Sequence, residues 1–320
     1  MGSSGLSGST PTRLVRSAGL SDRVGEDVHL KLELELPTGS FKVRGALHAL
    51  SRRLERGSIS EVVAASTGNH GAAVAWAARE LGVPAQIFVP VGANAVKTAR
   101  IEALGARLTE VGADIEGARR AAEARAAGSG GFLLDDATSE EVPIGAAAIG
   151  SEIVEQLPTC GTVVVPVGDS ALIRGVADAV KSRLPNAEVV GVQAERAPAY
   201  YRSWHSGTVV TTDTADTMAD GLATTTPTAD NVAVIRELVD DMLLVTEAEL
   251  LGAMRWLARH ESMVVEPAAA ATVAVLLQPG RRWRGPVVAV LTGQNLAPEL
   301  RGAVIETDAS NDAGERTDRV

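Results

Sequence analysis

Lys42 stands in the run Leu36-Pro37-Thr38-Gly39-Ser40-Phe41-Lys42-Val43-Arg44-Gly45, where a Gly/Ser-rich turn opens a helix. The positive end of a helix dipole favours the neutral form of an amine. A neutral lysine attacks carbonyls to form a Schiff base. For an isolated Ser-Phe-Lys the plainer reading is a solvated lysine at a helix start; the segments that follow overturn it. Ser66-Thr67-Gly68-Asn69-His70 joins a strand to an Ala-rich helix. Backbone N–H groups converging at such a helix N-terminus make a ready site for a carboxylate. The competing reading is a strand-to-helix turn capped by Thr67 or Asn69.

The elements that would position these residues are Val/Ile-rich runs alternating with Ala-rich helical stretches. Strands are predicted at 28–34, 62–66, 85–90, 107–111, 162–167, 188–194 and 287–292. Helices are predicted at 71–81, 95–104, 115–126, 146–156, 171–181, 232–239, 247–259 and 267–277. Continuous apolar strands separated by helices imply an α/β protein whose parallel sheet is buried on both faces. Ligands of such sheets bind beyond the carboxyl ends of the strands. Glycine-containing turns fall at three such ends, after Ala65, Val167 and Leu291.

The 320 residues can bury a large core in one or two joined domains. Aromatics are only 3%, so that core must be built from Ala, Val, Leu and Ile. A net charge of -10 argues against nucleic acid or an anionic membrane as partner. The single cysteine, Cys160, excludes an internal disulfide. No apolar run reaches spanning length, and a cytoplasmic location is expected. The first nine residues and the polar tail at 306–320 are expected to be disordered. Histidine spacing suits no zinc site, and phosphate-loop and dinucleotide glycine motifs are missing.

Further segments fall in register along the chain: Pro166-Val167-Gly168, Met218-Ala219-Asp220-Gly221, Val265-Glu266-Pro267-Ala268 and Thr292-Gly293-Gln294-Asn295. Together with the Lys42 and Asn69 runs, they resemble the fold-type II pyridoxal phosphate enzymes of the tryptophan synthase beta superfamily, in the threonine/serine dehydratase branch. The resemblance implies two open α/β/α domains with mostly parallel sheets. A small substrate-clamping domain (64–140) would be inserted into a large cofactor-binding one (1–63 and 141–305). It further implies pyridoxal 5'-phosphate bound to Lys42, a small amino-acid substrate and a homodimer. Ser66, Thr67, Gly68, Asn69 and His70 would clamp the substrate carboxylate, with Asn69 also beside the cofactor's 3-oxygen. His70 marks the branch and otherwise reads as a structural histidine. Phe41 would pack near the ring or phosphate, and Thr292 would face the pyridine nitrogen.

Gly168, Asp169, Ser170, Ala171 and Leu172 occupy the place of the phosphate loop, usually a run of glycines. A carboxylate about 4 Å from a phosphate costs about 4 kcal/mol per charge pair at an effective dielectric near 20. Asp169 is therefore expected to point away, toward Arg174, while Ser170 adds a hydroxyl donor. Glu266 and Asp220 read as helix-opening and turn residues. Gln193 and Ala199 stand where cation-dependent relatives carry acids, so no metal is expected. Gly145-Ala146-Ala147-Ala148 also departs from the Gly-Gln-Gly-Thr-like stretch of relatives, which leaves a specialised substrate open. The family carries a sensing domain in some members, and none is expected here.

The activity implied is α,β-elimination. The substrate amine would displace Lys42, whose freed amine removes the α-proton. The β-hydroxyl then leaves, giving a 2-oxo acid and ammonia. The alternatives are a β-replacing transferase of cysteine-synthase or diaminopropionate-synthase type, and a serine racemase. Phe41 and His70 favour the dehydratase, and Thr67 stands where racemases have Ser.

Overall fold

A computed structural model of the chain describes residues 11–305. The strands are β1 (Leu14–Ser17), β2 (Val28–Leu32), β3 (Val62–Ala65), β4 (Ala85–Val89), β5 (Arg107–Glu110), β6 (Phe132–Leu133), β7 (Thr162–Pro166), β8 (Glu188–Ala194), β9 (Asp241–Val245) and β10 (Val287–Leu291). The helices are α1 (Ala18–Val24), α2 (Lys42–Glu55), α3 (Asn69–Glu80), α4 (Ala95–Ala103), α5 (Ile115–Ser129), α6 (Glu141–Gln156), α7 (Ala171–Arg183), α8 (Ala199–Ser206), α9 (Ala229–Leu238), α10 (Glu247–His260), α11 (Pro267–Leu277) and α12 (Pro298–Ile305).

Two sheets form. The larger has the order β1-β2-β10-β7-β8-β9, parallel except for the antiparallel edge strand β1. Strand β10, last in sequence, lies between β2 and β7, with Val287 opposite both Val28 and Thr162. The smaller sheet, β5-β4-β3-β6, is wholly parallel. The α/β expectation holds, with two layered sheets.

Burial explains the apolar runs. One face of the large sheet packs with Leu20, Met254, Leu257 and the Ala-rich α11. The other packs with Ile149 and Ile153 of α6, Val176 of α7 and Ile235 of α9. On the small sheet, Val62 and Ile87 meet Val43, Leu47 and Leu50 of α2 and Val74 of α3, while α5 covers the opposite face. Helix α2 therefore touches the small sheet's core and also crosses α6. The crossing is close: a Cβ on Gly45 would lie 2.6 Å from Val142 Cγ1.

Below α2 a buried ionic network anchors it to β2. Arg44 Nε and Nη2 donate to the two carboxylate oxygens of fully buried Glu33 at 2.7 and 2.9 Å. Its Nη1 donates to Glu152 of α6 at 2.6 Å, and Glu152 also takes Lys31 Nζ at 2.5 Å.

Several elements differ from expectation. β1, β6, β9, α1, α8 and α12 were not anticipated as elements. Helix α6 starts at Glu141, five residues early, because Pro143 sits in its first turn, where a missing N–H costs nothing. The expectations for the first nine residues and for 306–320 lie outside the described residues.

Candidate active site

Lys42 is the first residue of α2. The turn before it is stitched to the end of β10. Gly39 takes φ +57°, Ser40 bridges to Gly293, Phe41 N donates to Thr292 O at 3.0 Å, and Gln294 N donates to Gly39 O at 3.0 Å. A side chain on Gly39 would be strained and would meet Asn295 Oδ1. The strand end carrying Thr292 and the turn carrying Phe41 and Lys42 thus form one unit. Phe41 packs against the apolar cluster of the large sheet, its ring centroid 5.4 Å from Lys42 Nζ.

The Lys42 ammonium forms an ion pair with Asp136, from the loop after β6. Burial pushes the Lys42 amine down, but the carboxylates of Asp136, Asp169 and Glu266 push it up further, so its pKa is raised. This departs from the expectation of a neutral amine, because the three carboxylates outweigh the burial of the amine. Asp136 is held well below the usual carboxylate range. Burial opposes its ionisation, but His70 and Lys42 outweigh that.

Beyond β3, Ser66 to His70 form the turn into α3. Its N-cap is Gly68, and no side chain among the described residues caps the first turn, contrary to the capping alternative. Gly68 N donates to Ser66 Oγ at 3.2 Å, and Thr67 lies half-buried between them. A Cβ on Gly71 would come 2.7 Å from Ser66 O, so the turn folds tightly onto the helix. His70 is buried, with Nε2 2.9 Å from Leu134 O and Nδ1 3.7 Å from Asp136.

Asn69 is held between distant parts of the chain. Its Nδ2 donates to both Glu266 oxygens, at 3.0 and 2.9 Å, and its Oδ1 accepts from Asn295 Nδ2 at 2.6 Å. Arg100 of α4 reaches the same corner, donating to Thr38 O at 2.6 Å. Glu266 therefore does more than open α11: it makes no cap hydrogen bond and faces Asn69 instead. Burial pushes its carboxyl pKa up, against the Asn69 amide. Asp220 does sit at a turn, opening a short 3-10 segment, and it pairs with Lys97 of α4 at 2.5 Å.

Gly168 to Leu172 lead from β7 into α7. Gly168 has no room for a side chain, because a Cβ would strike Gly221 O. Ser170 takes a left-handed φ of 68° at the N-cap of α7. Its Oγ is buried, at 2% exposure for the residue, with no hydrogen-bond partner among the described residues. Ala171 packs in the same apolar cluster as Val43. An orphaned hydroxyl at a helix N-terminus fits an anion such as a phosphate. Asp169 departs from expectation: its Oδ1 accepts from Thr224 Oγ1 at 2.9 Å, and it does not pair with Arg174. Burial and the Asp136 charge raise its pKa, and Lys42 opposes them. Arg174 Nε and Nη2 are buried without partners among the described residues, beside Tyr200.

The structure thus brings Phe41, Lys42, Thr292, the α3 turn and the α7 loop to the carboxyl ends of the strands. Asp136 was missed by sequence reasoning; its signal was an acidic pair, Asp135-Asp136, directly after the short apolar run 132–134. Asn295 was quoted in a motif but given no part. Gln193 offers Oε1 to Tyr201 N at 2.7 Å. No group of three or more His, Cys, Asp or Glu among the described residues is arranged to hold a metal ion, and no described helix is long and apolar enough to cross a membrane.

Comparison with known proteins agrees with this geometry. A family model described as "Pyridoxal-phosphate dependent enzyme" matches residues 6–293. An L-threonine ammonia-lyase of Geobacter sulfurreducens is 32% identical over 298 residues, covering 92% of this chain and 74% of that protein. An L-threo-3-hydroxyaspartate ammonia-lyase of Saccharomyces cerevisiae is 33% identical over 286 residues, covering 89% and 88%. The structure of maize serine racemase superposes with a TM-score of 0.87 at 28% identity, covering 91% and 90%. A lysine flanked by two uncapped helix starts, on this fold and with these relatives, leaves one conclusion: the chain belongs to the pyridoxal-phosphate dependent enzymes, in their fold-type II, threonine dehydratase-like branch.

Proposed function

We propose that this chain is a pyridoxal 5'-phosphate-dependent ammonia-lyase that dehydrates a β-hydroxy amino acid, threonine or serine, to a 2-oxo acid and ammonia. The observation that carries the reading is the placement of Lys42 beside Asp136, in a site edged by the uncapped start of α3 and by the buried, unpartnered Ser170 Oγ.

Pyridoxal phosphate supplies the electron sink for carbanion chemistry; the rest falls to the chain. Lys42 would anchor the cofactor and, once released as a neutral amine, would take the α-proton on Nζ. Asp136 orients that nitrogen and balances its positive charge. The N–H groups of the Ser66–His70 turn bind the substrate carboxylate, where helix-start dipoles favour an anion. Ser170 and the first N–H groups of α7 would hold the phosphate, and the bare backbone of Gly168 lets Gly221 approach. Asn69, fixed by Glu266 and Asn295, would help hold the cofactor at its 3-oxygen, Phe41 would pack near its ring, and Thr292 would face the ring nitrogen. Holding the breaking bonds in line is worth several orders of magnitude in rate, about 10⁵ or more in effective molarity.

Phe41 and His70 support elimination over β-replacement, and Thr67 supports it over racemisation. We extend the reading to a cytoplasmic homodimer, with domain limits at 1–63 and 141–305 for the large domain and 64–140 for the small one. Borohydride reduction of the loaded enzyme followed by peptide mapping is expected to label Lys42. L-Threonine or L-serine should yield 2-oxo acid. A label elsewhere, or β-substituted product from O-acetylserine and a thiol with no oxo acid from either hydroxy amino acid, would refute the assignment.

A further inference from the structure

The loop that carries Asp136 is pinned on either side of that residue. Before it, Leu134 N donates to Val63 O at 2.8 Å, and Leu134 O lies 2.9 Å from His70 Nε2. Asp135 accepts from Ala137 N and Thr138 N on Oδ1, both at 3.0 Å, and pairs through Oδ2 with Arg119 of α5 at 3.1 Å. These partners belong to the small sheet, to the helices that cover it, or to the loop itself. Ala137 reaches elsewhere. Its carbonyl accepts from Asn231 Nδ2 of α9 at 3.1 Å, and α9 packs on the large sheet through Val232 and Ile235.

Asn231 is fixed for this task. It is 4% exposed, and an amide nitrogen carries two hydrogens. One goes to Ala137 O; the other goes to the hydroxyl oxygen of Tyr200 in α8 at 3.2 Å, a residue 1% exposed. The reversed amide would set Oδ1 against the Ala137 carbonyl, two acceptors facing each other away from water, which is costly. The carbonyl therefore decides which way the amide points, and Tyr200 takes the hydrogen left over. Its helix neighbours Val232 and Ile235 are apolar, so the amide is there for these bonds and not for packing. The Ala137 peptide directly follows Asp136. Holding its carbonyl holds the Asp136 backbone, and with it the carboxylate that meets Lys42 Nζ.

We propose that Asn231, oriented by Tyr200, is a positioning residue for the Lys42–Asp136 pair: from the large sheet's side it fixes the Ala137 carbonyl and so keeps the Asp136 carboxylate on Lys42. The inference rests on Lys42 being the reactive lysine of the lyase reading, and it adds to that reading the residues that set the lysine's charge partner. Asn231 and Tyr200 act through Asp136 and take no part in bond breaking.

The test is a double-mutant cycle with Asp136→Asn on the full chain freed of cofactor. The readout is the rate at which an amine-directed acylating reagent labels Lys42 at pH 8, followed by peptide mass mapping with Lys97 as internal standard. Loss of one buried hydrogen bond bounds the effect to about threefold to tenfold. Asn231→Leu, which fills the space without a donor, is expected to speed labelling about threefold or more, because the carboxylate then spends less time on the ammonium. In the Asp136→Asn background the same change should leave the rate within about twofold, since the group it positions is gone. A general loosening of the loop would speed labelling equally in both backgrounds, and that result overturns the proposal, as does an unchanged rate in Asn231→Leu alone. Tyr200→Phe removes only the oxygen that takes the second amide hydrogen, and it serves if Asn231→Leu fails to fold; its effect should show the same dependence on Asp136. Labelling needs no turnover. Oxo acid formed from threonine with no response at Lys42 would sink the positioning role alone, whereas the expected response with no oxo acid would sink the lyase reading alone.

Discussion

Replacing Asp136 by Asn tests the electrostatics of Lys42 most directly. The two side chains are only 19% and 12% exposed, so solvent screens their ion pair weakly. Unit charges about 4 Å apart interact by about 4 kcal/mol at an effective dielectric near 20. Asp169 and Glu266 remain in the variant and still favour the ammonium, so only part of that energy is lost. Even a third of it, about 1.4 kcal/mol, changes the ratio of neutral to charged amine tenfold. The sign is fixed by the direction of the effect. Asp136 raises the Lys42 pKa, so its removal lowers it and neutral, reactive amine becomes more abundant at a given pH. The difference should close only when the pH exceeds the point at which the unmodified lysine itself titrates. The assay is the rate of labelling of the cofactor-free protein by an amine-directed acylating reagent at pH 8, read by peptide mass mapping. The chain has four lysines, Lys31, Lys42, Lys97 and Lys181, so the label is readily assigned. A Lys42 labelling rate at least tenfold faster in Asp136→Asn is expected, with Lys97, half-buried and paired with Asp220 in both proteins, as the internal standard. A rate unchanged within twofold, or slower, would refute the argument that Asp136 governs this amine.

Two further perturbations probe the cofactor loop and the support of α2. Ser170→Ala removes a hydroxyl whose bond to a charged group is worth about 1.5 kcal/mol, and should weaken pyridoxal phosphate binding about tenfold by equilibrium dialysis. Binding of unphosphorylated pyridoxal should be unaffected; parallel losses for both would place the hydroxyl elsewhere. Arg44→Met strands Glu33, which is fully buried, and should destabilise the fold by about 3–5 kcal/mol in urea. Pairing it with Glu33→Met should recover most of the loss, and a single-variant cost below about 1 kcal/mol would show that the network does not tie α2 to β2.

The strands that bury both faces were legible, because continuous runs such as Val287–Leu291 have no other way to hide their side chains. Where a strand is short or an edge, the signal fails: β6 is two residues long, and β1 mixes Leu and Val with Arg16 and Ser17. Strand β9 begins on Asp241 and pairs on one side with β8, so its pattern is diluted. The lysine turn, the α3 turn and the α7 loop were readable because each is a local backbone device a few residues long. The pairs that finish the site were not. Lys42 and Asp136 are 94 residues apart, and Asn69 and Glu266 are 197 apart. Nothing in either member's own neighbourhood specifies the other. The partner of Asp169 was missed for the same reason, since Thr224 comes from the opposite end of a long excursion through α7, β8 and α8.

The central place of β10 has a consequence for how the protein comes into being. On the ribosome, Lys42 and then the α7 loop emerge before the strand that seats between β2 and β7, which follows every other described strand. Until residues 287–295 have been synthesised, the lysine turn has no Thr292 carbonyl or Gly293 bridge to rest on. A nascent chain therefore carries Lys42 on a turn that still lacks its backing strand. Competence thus waits on the seating of β10 between β2 and β7.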